Sequence, residues 1–325
     1  MSEAQTSPRA APEVTAGVMA GGSRRDSRWV VDTDRTARRL ALVTVGVPTV
    51  GFVAAIWFSI THGITAADVA LLCVMYAITS LGIEGGFHRF FSHRAFSARP
   101  WVTALWGVAG SMAAQGPVVF WVATHRQHHA FTDREGDPHS PMPRGDGRWA
   151  GVRGFWHGHV GWLFTVKRGS WSAHVPDLLG DRQAMWINRR YFSWVALGLA
   201  LPTIAGWALT GTATGALGGL LWGGLARIFL LDHVTWGVNS LGHTFGSRPH
   251  ATRDNSHNVA PLAAFSVGGS WHNNHHAEPA LARTRHRFWQ LDPTGSFIAL
   301  LDHLGLVTDV RYATKTGTEQ KGRMA

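Results

Sequence analysis

The chain contains little cysteine and little charge. Its one cysteine, Cys73, lies inside an apolar block of a 325-residue sequence, which excludes an intrachain disulfide and an intrinsic iron–sulfur cluster. Charged residues make up only 15% of the chain, and the 16 Trp and 16 Phe accompany long apolar blocks. Because aromatic rings of this kind gather at membrane–water interfaces, the composition predicts an integral membrane protein.

The sequence also lacks motifs for several partners. The net charge is +10, but the Arg and Lys residues flank apolar blocks and no nucleic-acid recognition motif accompanies them, so membrane orientation explains the charge better than nucleic-acid binding. No flavin or nicotinamide motif is present. If the protein carries out redox chemistry, its electrons must therefore come from a partner protein.

The N-terminal region does not have the pattern of a cleavable signal peptide. Residues 1–36 are rich in Ala, Ser, Gly and Arg without an apolar period, and the first apolar stretch, which begins near Leu40, lacks a small-residue cleavage site. We therefore predict a disordered N-terminal tail over residues 1–36, one membrane domain over residues 37–311, and a flexible C-terminal tail over residues 312–325.

Four apolar stretches are each close to the roughly 20 residues that a helix needs to cross a bilayer. They cover residues 40–60, 69–87, 194–210 and 216–238. The connections at 61–68 and 211–215 contain no Lys or Arg, whereas the N-terminal, middle and C-terminal segments are rich in Arg. The positive-inside rule thus predicts two transmembrane hairpins with the N-terminal, middle and C-terminal segments on the cytoplasmic side. We expect an all-α protein with a helical cytosolic cap, in a bacterial-type cell membrane.

A fifth apolar stretch, residues 101–122, is not expected to cross the membrane. Gln115, Gly116 and Pro117 interrupt it, and a full crossing would separate the histidines on its two sides. We expect a helix that lies in the interface or dips partly into the bilayer.

Histidines are concentrated in three short runs beside these spans. The runs are His88-Arg-Phe-Phe-Ser-His93, His125-Arg-Gln-His128-His129 and His272-Asn-Asn-His275-His276. In the second and third runs, the spacing i, i+3, i+4 places the three imidazoles on one helical face, so that each triplet can clamp one side of a metal site. His88 and His93 are five residues apart and are not expected to lie on the same face of a continuous helix; we expect His88 to end the second span and His93 to lie just beyond it.

Asn239 and His243 add a pair with i, i+4 spacing near the end of the fourth span. The nine imidazoles are too many for one metal ion and suit two. An all-nitrogen set without thiolate is compatible with iron, zinc or copper. Zinc would explain hydrolysis, but no carboxylate stands at a recognisable catalytic spacing, whereas redox iron suits a substrate taken from the bilayer. Isolated histidines such as His62 and His303 are expected to be structural.

At these residues the chain resembles the membrane fatty-acid desaturases, in particular the delta-9 acyl desaturase branch. The matching elements, in family order, are residues 86–94 (GFHRFFSHR), 121–129, 137–139 (DPH), 159–162 (HVGW), 239–246 (NSLGHTFG) and 271–276. The resemblance covers about residues 40–311. It implies a four-span fold with a cytosolic cap and a di-iron centre that activates O2 and removes two hydrogens from adjacent methylenes of an acyl chain.

The resemblance also implies roles for individual residues. The iron ligands would be His88, His93, His125, His128, His129, His243, His272, His275 and His276, with Asn239 acting through water. The eight of these histidines that belong to the three runs would also be the catalytic residues. Gln115, Trp121, Thr235 and Trp236 match positions that line the bend of the substrate tunnel, and Tyr76 matches the position that closes its far end. Trp121 and Trp236 could instead be interfacial anchors. His139, His157 and His159 would support the ligands or the fold.

At two places this chain has uncharged residues where the family has acidic or basic ones. The animal acyl-CoA enzymes have Arg-Asp before the second run, where this chain has Ala123-Thr124, so those CoA contacts are missing. Lys167 and Arg168 could meet phosphates, and the acyl chain could be carried on CoA, a carrier protein or a lipid. Gly269 replaces an acidic residue that is common before the third run.

The leading hypothesis is an O2-dependent desaturase that inserts a cis double bond at the delta-9 position. A hydroxylase or related oxygenase on the same di-iron platform is the alternative enzyme, and a histidine-rich metal transporter is an alternative of a different class. Either enzyme needs a ferredoxin or a cytochrome-b5-like carrier with its reductase, and a basic cytoplasmic face would attract an acidic carrier.

Overall fold

The structure, a computed structural model, describes residues 26–165 and 171–313. Within these residues four helical stretches are long and apolar enough to cross a membrane: Arg38–His62, Ala66–Ser92, Tyr191–Thr210 and Ala213–Gly242. They correspond to the four predicted spans and pair as two hairpins. The predicted all-α membrane fold is therefore confirmed, with one addition, a two-residue antiparallel pair between β1 (Ser97–Ala98) and β2 (Val307–Thr308).

Helix α1 (Asp26–His62) is longer than the sequence indicates. It begins ten residues before the expected end of the N-terminal tail, so residues 26–36 are helical and not a disordered tail, while residues 1–25 lie outside the described part. At the other end of the chain, the Tyr312 hydroxyl donates to Asp302 at 2.9 Å. The folded part thus continues past residue 311, and the predicted tail from residue 314 onward lies outside the described residues.

The turns of both hairpins are fixed by local sequence. In the first hairpin, α2 (Ala66–Leu81) starts with a capping box in which Thr65 Oγ1 accepts from the Asp68 amide at 3.2 Å and the Asp68 carboxylate accepts from the Thr65 amide at 2.9 Å. In the second hairpin, α9 (Tyr191–Thr210) ends at Gly211 with φ of 68°, and Thr212 caps α10 (Ala213–Gly218).

Two of the spans change to π-helix within the bundle. Helix α2 continues as a π-helix over Gly82–Ser92, and α10 continues as a π-helix over Gly219–Ala226 before α11 (Arg227–Gly242). Both segments begin with a glycine packed tightly on a neighbour: a Cβ at Gly82 would overlap the backbone of Ala109 and Gly110, and a Cβ at Gly219 would overlap the backbone of Pro202. Single-turn π segments often occur at functional sites.

The fifth apolar stretch is not one long helix. It forms α3 (Pro100–Met112) and α4 (Val118–Phe131), which are separated by a reversal that contains Ala114 with φ of 64° and Gly116 with φ of 103°. Helix α3 packs on α9 and on the first π-helix, so it lies against the bundle. The reversal then turns α4 back toward the ends of the second and fourth spans.

Arg227 is fully buried at the start of α11 and bonds only main-chain oxygens. Its guanidinium donates to the carbonyls of Met112 at 2.8 Å, Gly198 at 3.1 Å and Gly223 at 3.3 Å. Pro202 has no N–H to bond the carbonyl four residues earlier, which is that of Gly198. Arg227 therefore donates hydrogen bonds to the carbonyl of Gly198, which Pro202 cannot bond, and to the carbonyl of Met112 at the end of α3.

The cap is made of short helices and loops around the ends of the spans. Its elements are α5 (Ala150–His159), a 3₁₀ turn (Gly161–Phe164), α6 (Trp171–His174), α7 (Pro176–Gly180), α8 (Arg182–Arg189), a 3₁₀ turn (Ala260–Leu262), α12 (His272–Ala277) and α13 (Pro293–His303). The main apolar core lies where the first π-helix, α3, α4, α8 and α13 meet. This core supports the helices that carry the histidine runs.

Candidate metal centre and substrate cavity

The first histidine run lies on and just after the π-helix, and this explains how His88 and His93 reach the same site. The His93 amide donates to the His88 carbonyl at 3.1 Å, which is the i to i−5 bond of a π-helix. A five-residue step is close to one full turn of such a helix. The expectation that these two histidines could not share a face holds only for an α-helix, and the structure corrects it.

The second and third runs each contribute to two separate groups of imidazoles. His125 and His129 of α4 join His88, His93 and His275 in the five-histidine site. The remaining group, the four-histidine site, contains His128, His243, His272 and His276. Each triplet therefore gives its i, i+4 pair to one site and its i+3 member to the other, whereas the sequence suggested that a triplet would clamp one site. Residues i+3 and i+4 differ by about 100° around a helix.

In the five-histidine site the Nε2 atoms face one another at short range. The Nε2–Nε2 distances are 2.7 Å for His93 and His125, 3.0 Å for His88 and His275, and 3.0 Å for His275 and His129. Two nitrogens bound at right angles to one ion at about 2.1 Å would lie about 3.0 Å apart. The donor set and its spacing therefore fit a transition-metal ion.

The four-histidine site has the same arrangement with one ligand fewer. Its Nε2–Nε2 distances are 2.9 Å for His243 and His272, 3.1 Å for His272 and His276, and 3.4 Å for His128 and His276. Asn239, one turn before His243 on α11, lines the same cavity as His272. Its side chain is thus available to the position that a four-nitrogen site leaves open.

Most of these imidazoles are held in the neutral form that binds metals. Burial, followed by the neighbouring imidazoles, lowers the pKa of six of them well below the usual range: His93, His125, His129, His272, His275 and His276. Burial acts in the same direction on His128, but the carboxylate of Asp137 outweighs it, and the pKa of His128 is raised. A neutral imidazole needs no proton release before it binds a metal.

Four carboxylates behind the histidines were not predicted as site residues. The Nδ1 atoms of His128, His243 and His276 bond Asp137 at 3.0 Å, Asp133 at 2.9 Å and Asp254 at 2.8 Å, respectively, and His88 Nδ1 lies 3.0 Å from Glu84 Oε1. Such partners orient the ring so that Nε2 faces the metal. Glu84 is four residues before His88 and could have been found from that spacing; Asp254 is 22 residues before His276, and no sequence period reveals it.

The remaining histidines of the cap lie outside both sites. His139 lies beside His128, with ring centroids 4.4 Å apart, and burial together with His128 lowers its pKa to about 3. His157 contacts Arg144 at 2.9 Å, and His159 contacts His233 at 3.0 Å. The supporting roles of His139, His157 and His159 stay predictions.

A cavity of about 940 Å³, including space open to solvent, runs beneath both histidine sites. Its wall contains His88, His125 and His272 together with four of the predicted substrate residues, Gln115, Trp121, Thr235 and Trp236. Most of the remaining wall is apolar, so the cavity suits a long hydrocarbon chain.

Hydrogen bonds between the substrate residues fix the middle of this cavity. Gln115 Nε2 donates to Thr235 Oγ1 at 2.9 Å, and Trp121 Nε1 donates to Gln115 Oε1 at 3.3 Å. The Trp121 ring also stacks on His125 with centroids 5.2 Å apart. Trp121 therefore contacts both the cavity and the five-histidine site.

The remaining predicted substrate residues are Tyr76, Lys167 and Arg168. Tyr76 is one turn below Ser80, which lines the cavity, and its hydroxyl donates to the Phe265 carbonyl at 2.8 Å, so that the ring bridges α2 and the segment before the third run. Lys167 and Arg168 lie outside the described residues. Ala123 and Thr124 are buried, and Thr124 lines the cavity.

Comparison with known proteins agrees with this geometry. The family model described as fatty acid desaturase matches residues 64–294, which include both histidine sites. The chain belongs to the fatty acid desaturase family. Relatives include a hex-5-enoyl-[acyl-carrier protein] acetylenase of Moorena producens (40% identical, covering 85% of this chain and 86% of the relative) and an sn-1 stearoyl-lipid 9-desaturase of Synechocystis sp. (34% identical, covering 78% and 74%).

A delta-9 desaturase-like 4 protein of Arabidopsis thaliana is 36% identical and covers 78% of each chain. Proteins of this family are oxidoreductases that act on fatty acyl chains. The desaturase described here therefore has the fold, the histidine clusters and the apolar cavity for such a reaction.

Proposed function

We propose that this desaturase uses O2 and two iron ions to insert a cis double bond into a saturated acyl chain, at the delta-9 position. The observation that carries the proposal is the apolar cavity with imidazoles of both histidine sites in its wall, because the same space can hold a hydrocarbon chain beside both metal positions. Bound irons would supply O2 activation and the removal of one hydrogen from each of two adjacent methylenes. The residues of the protein would hold the metals and position the acyl chain.

The nine imidazoles would hold the irons, with Asn239 contributing through water. Buried carboxylates on Nδ1 keep three ligands of the four-histidine site turned toward the metal position. Gln115, Trp121 and Thr235 form a rigid polar strip in an otherwise apolar wall. This strip would hold the acyl chain in one bend, so that the same pair of methylenes faces the metals in each turnover.

Tyr76 would limit the length of the acyl chain beyond the reacting bond. The residue lies about 18 Å before His88 along the helix, at the usual rise per residue, and is tied to Phe265. A chain that enters past the metals would meet this ring last. We infer that Tyr76 sets the number of carbons that fit between the metal centre and the closed end.

The distribution of charged residues supports proposals for the carrier of the acyl chain and for the electron donor. Ala123 and Thr124 provide no charged contact, so the head group would be held elsewhere, and Lys167 and Arg168 remain candidates for a phosphate of CoA, of a carrier protein or of a lipid. We propose that both termini and the histidine sites face the cytoplasm. An acidic carrier such as a ferredoxin or a cytochrome-b5-like protein would then dock on the basic face.

An acetylenase reaction is the second candidate, because a relative with that name is 40% identical over most of both chains. Both reactions remove hydrogens from adjacent carbons and differ in whether the substrate already contains a double bond. Hydroxylation on the same platform would instead leave oxygen in the product. A metal transporter is disfavoured because eight of the nine imidazoles lie outside the four spans, and His88 lies near the end of the second span.

The test is to express the protein with a reductase and carrier and to locate double and triple bonds in cellular fatty acids by mass spectrometry. We expect new delta-9 monounsaturated chains that disappear in His128→Ala and persist in His62→Ala, a matched change of an exposed histidine at the outer end of α1. Equal products from His128→Ala and the parent would refute the proposal. Triple bonds would support the acetylenase, and label from ¹⁸O2 in the product would support a hydroxylase.

A further inference from the structure

Glu84 is the carboxylate that contacts the five-histidine site. It lies on the π-helix one turn before His88, and its side chain is 12% exposed. Its Oε1 lies 3.0 Å from His88 Nδ1 and accepts from Arg89 Nε at 3.2 Å and Arg89 Nη2 at 3.1 Å. The residue also lines the substrate cavity. Glu84 therefore stands between a candidate metal ligand and a fixed positive charge.

The two histidine sites differ in how carboxylates support them. Three imidazoles of the four-histidine site have an aspartate on Nδ1. In the described part of the chain, Glu84 is the single carboxylate within 4.0 Å of any imidazole of the five-histidine site. The approach to His88 departs from the angle of an ideal hydrogen bond, and Nδ1 has no other polar partner. The contact would thus act on His88 mainly through charge.

Gly269 faces the same carboxylate from the segment before the third run. A Cβ placed on Gly269 would lie 2.8 Å from Glu84 Oε2 and 3.2 Å from Glu84 Cδ, and its backbone is not in the left-handed region. The side chain of Glu84 therefore occupies the volume that a side chain at position 269 would need. Position 269 is the one at which the sequence departs from the acidic residue common in the family.

We propose that Glu84 is the positioning residue of the five-histidine site and that its carboxylate replaces, from the opposite wall, the acidic side chain that Gly269 lacks. The inference rests on the proposed function, since it assumes that the site holds a metal. The negative charge beside Nδ1 favours the proton on that nitrogen, which leaves the Nε2 lone pair for the metal and strengthens it as a donor. Arg89 holds the carboxylate in place from the other side.

The first experiment measures metal in the full-length protein purified in detergent after growth with iron. Bound iron per chain is determined by mass spectrometry, and the rate of iron loss to a chelator is followed for the parent, Glu84→Gln and Glu135→Gln, a matched change of an exposed glutamate. Glu84→Gln should weaken iron binding by about 10- to 100-fold at one of the two positions, the usual effect of removing a supporting partner. Glu135→Gln should leave both positions unchanged.

The second experiment tests the exchange between positions 84 and 269. Gly269→Glu in the parent should disturb the site, because the new Cβ meets Glu84; in a Glu84→Ala background the same substitution should restore iron retention. Gly269→Gln in that background, equal in size but uncharged, should not restore it. Mössbauer spectra of ⁵⁷Fe-loaded protein would show whether only one of the two irons is affected. A purely structural role of Glu84 would not produce an effect limited to one iron.

The outcomes separate this inference from the proposed function. A parent protein without tightly bound iron would contradict the proposed function. Two irons in the parent, with unchanged iron retention in Glu84→Gln, would overturn the role of Glu84 alone. Equal damage by Gly269→Glu in both backgrounds, in protein that remains folded by thermal unfolding, would also overturn it.

Discussion

Replacing Arg89 with Met should cost the folded protein a large part of its stability. Arg89 is 1% exposed and donates to Glu84, to Asp292 at 2.9 Å, to the Ala282 carbonyl at 2.7 Å and to Thr284 Oγ1 at 3.2 Å. Methionine fills much of the volume but leaves the buried carboxylate of Asp292 and the partly exposed carboxylate of Glu84 without their cation. These bonds tie the π-helix to the segment that leads into α13.

The expected loss follows from the cost of an unpaired buried charge. Removing one partner of a buried ion pair costs about 3–5 kcal/mol. At about 2 °C per kcal/mol for a chain of this size, the midpoint of thermal unfolding should fall by roughly 6–10 °C. Unfolding can be followed in detergent by tryptophan fluorescence, with Arg99→Met, a change of an exposed arginine, as the control. A fall below about 2 °C, or an equal fall in the control, would show that the buried pair is not a main support.

The pH dependence separates lost charge pairing from lost packing. Burial by itself raises the pKa of Asp292, but Arg89 outweighs it and holds that pKa below its ordinary 3.8. The parent therefore keeps the stability from this pair above pH 3.8 and loses it as the pH falls further. In Arg89→Met, burial without the arginine should raise the pKa of Asp292. As the pH falls, protonation should therefore remove the unpaired charge of Asp292 in the variant at a higher pH than in the parent. The difference in midpoint should shrink from pH 7 toward pH 4; a constant difference would indicate a packing effect.

Two further predictions concern the cavity and the bundle. Tyr76→Ala should open the far end of the cavity and shift the products toward longer chains, measured by gas chromatography, while Tyr76→Phe, which keeps the ring, should leave chain length unchanged; identical products from both variants would contradict the assigned end. Gly82→Ala should lower the unfolding midpoint by the equivalent of about 1–3 kcal/mol, because its Cβ overlaps backbone. Gly46→Ala, with no atom within 4 Å of its Cβ, should raise stability by roughly 0.5–1 kcal/mol; a loss in both would refute the packing argument.

The sequence predicts the spans well because crossing a bilayer requires an apolar run of fixed length, which is visible locally. The rejection of residues 101–122 as a span depended on a Gly-Pro interruption and on the need to keep the histidines together, and the reversal at Gly116 agrees with it. The start of α1 was placed too late because the arginines and serines before Leu40 resemble a polar tail. Helical structure outside a membrane leaves no comparable hydrophobic signal.

The composition of the site was easier to predict than its arrangement. Histidine spacing within a helix turn is local, so the nine imidazoles could be identified, but their division between two groups depends on how α4 and α12 cross. The π-helix was missed because i, i+5 spacing has no meaning in an α-helix. Asp254 approaches His276 only through the folding of a loop, and no periodicity in the chain records that contact.

The split of each histidine triplet has a consequence for the rigidity of the centre. His125 and His129 belong to the five-histidine site and His128 to the four-histidine site. In the third run the division is reversed, because His272 and His276 belong to the four-histidine site and His275 to the five-histidine site. The spacing of the two sites is therefore set by the pitch of two short helices, and it needs no group that bridges them. A local change at one site would therefore be transmitted to the other through the backbone of α4 and α12, because each of these helices carries ligands of both sites.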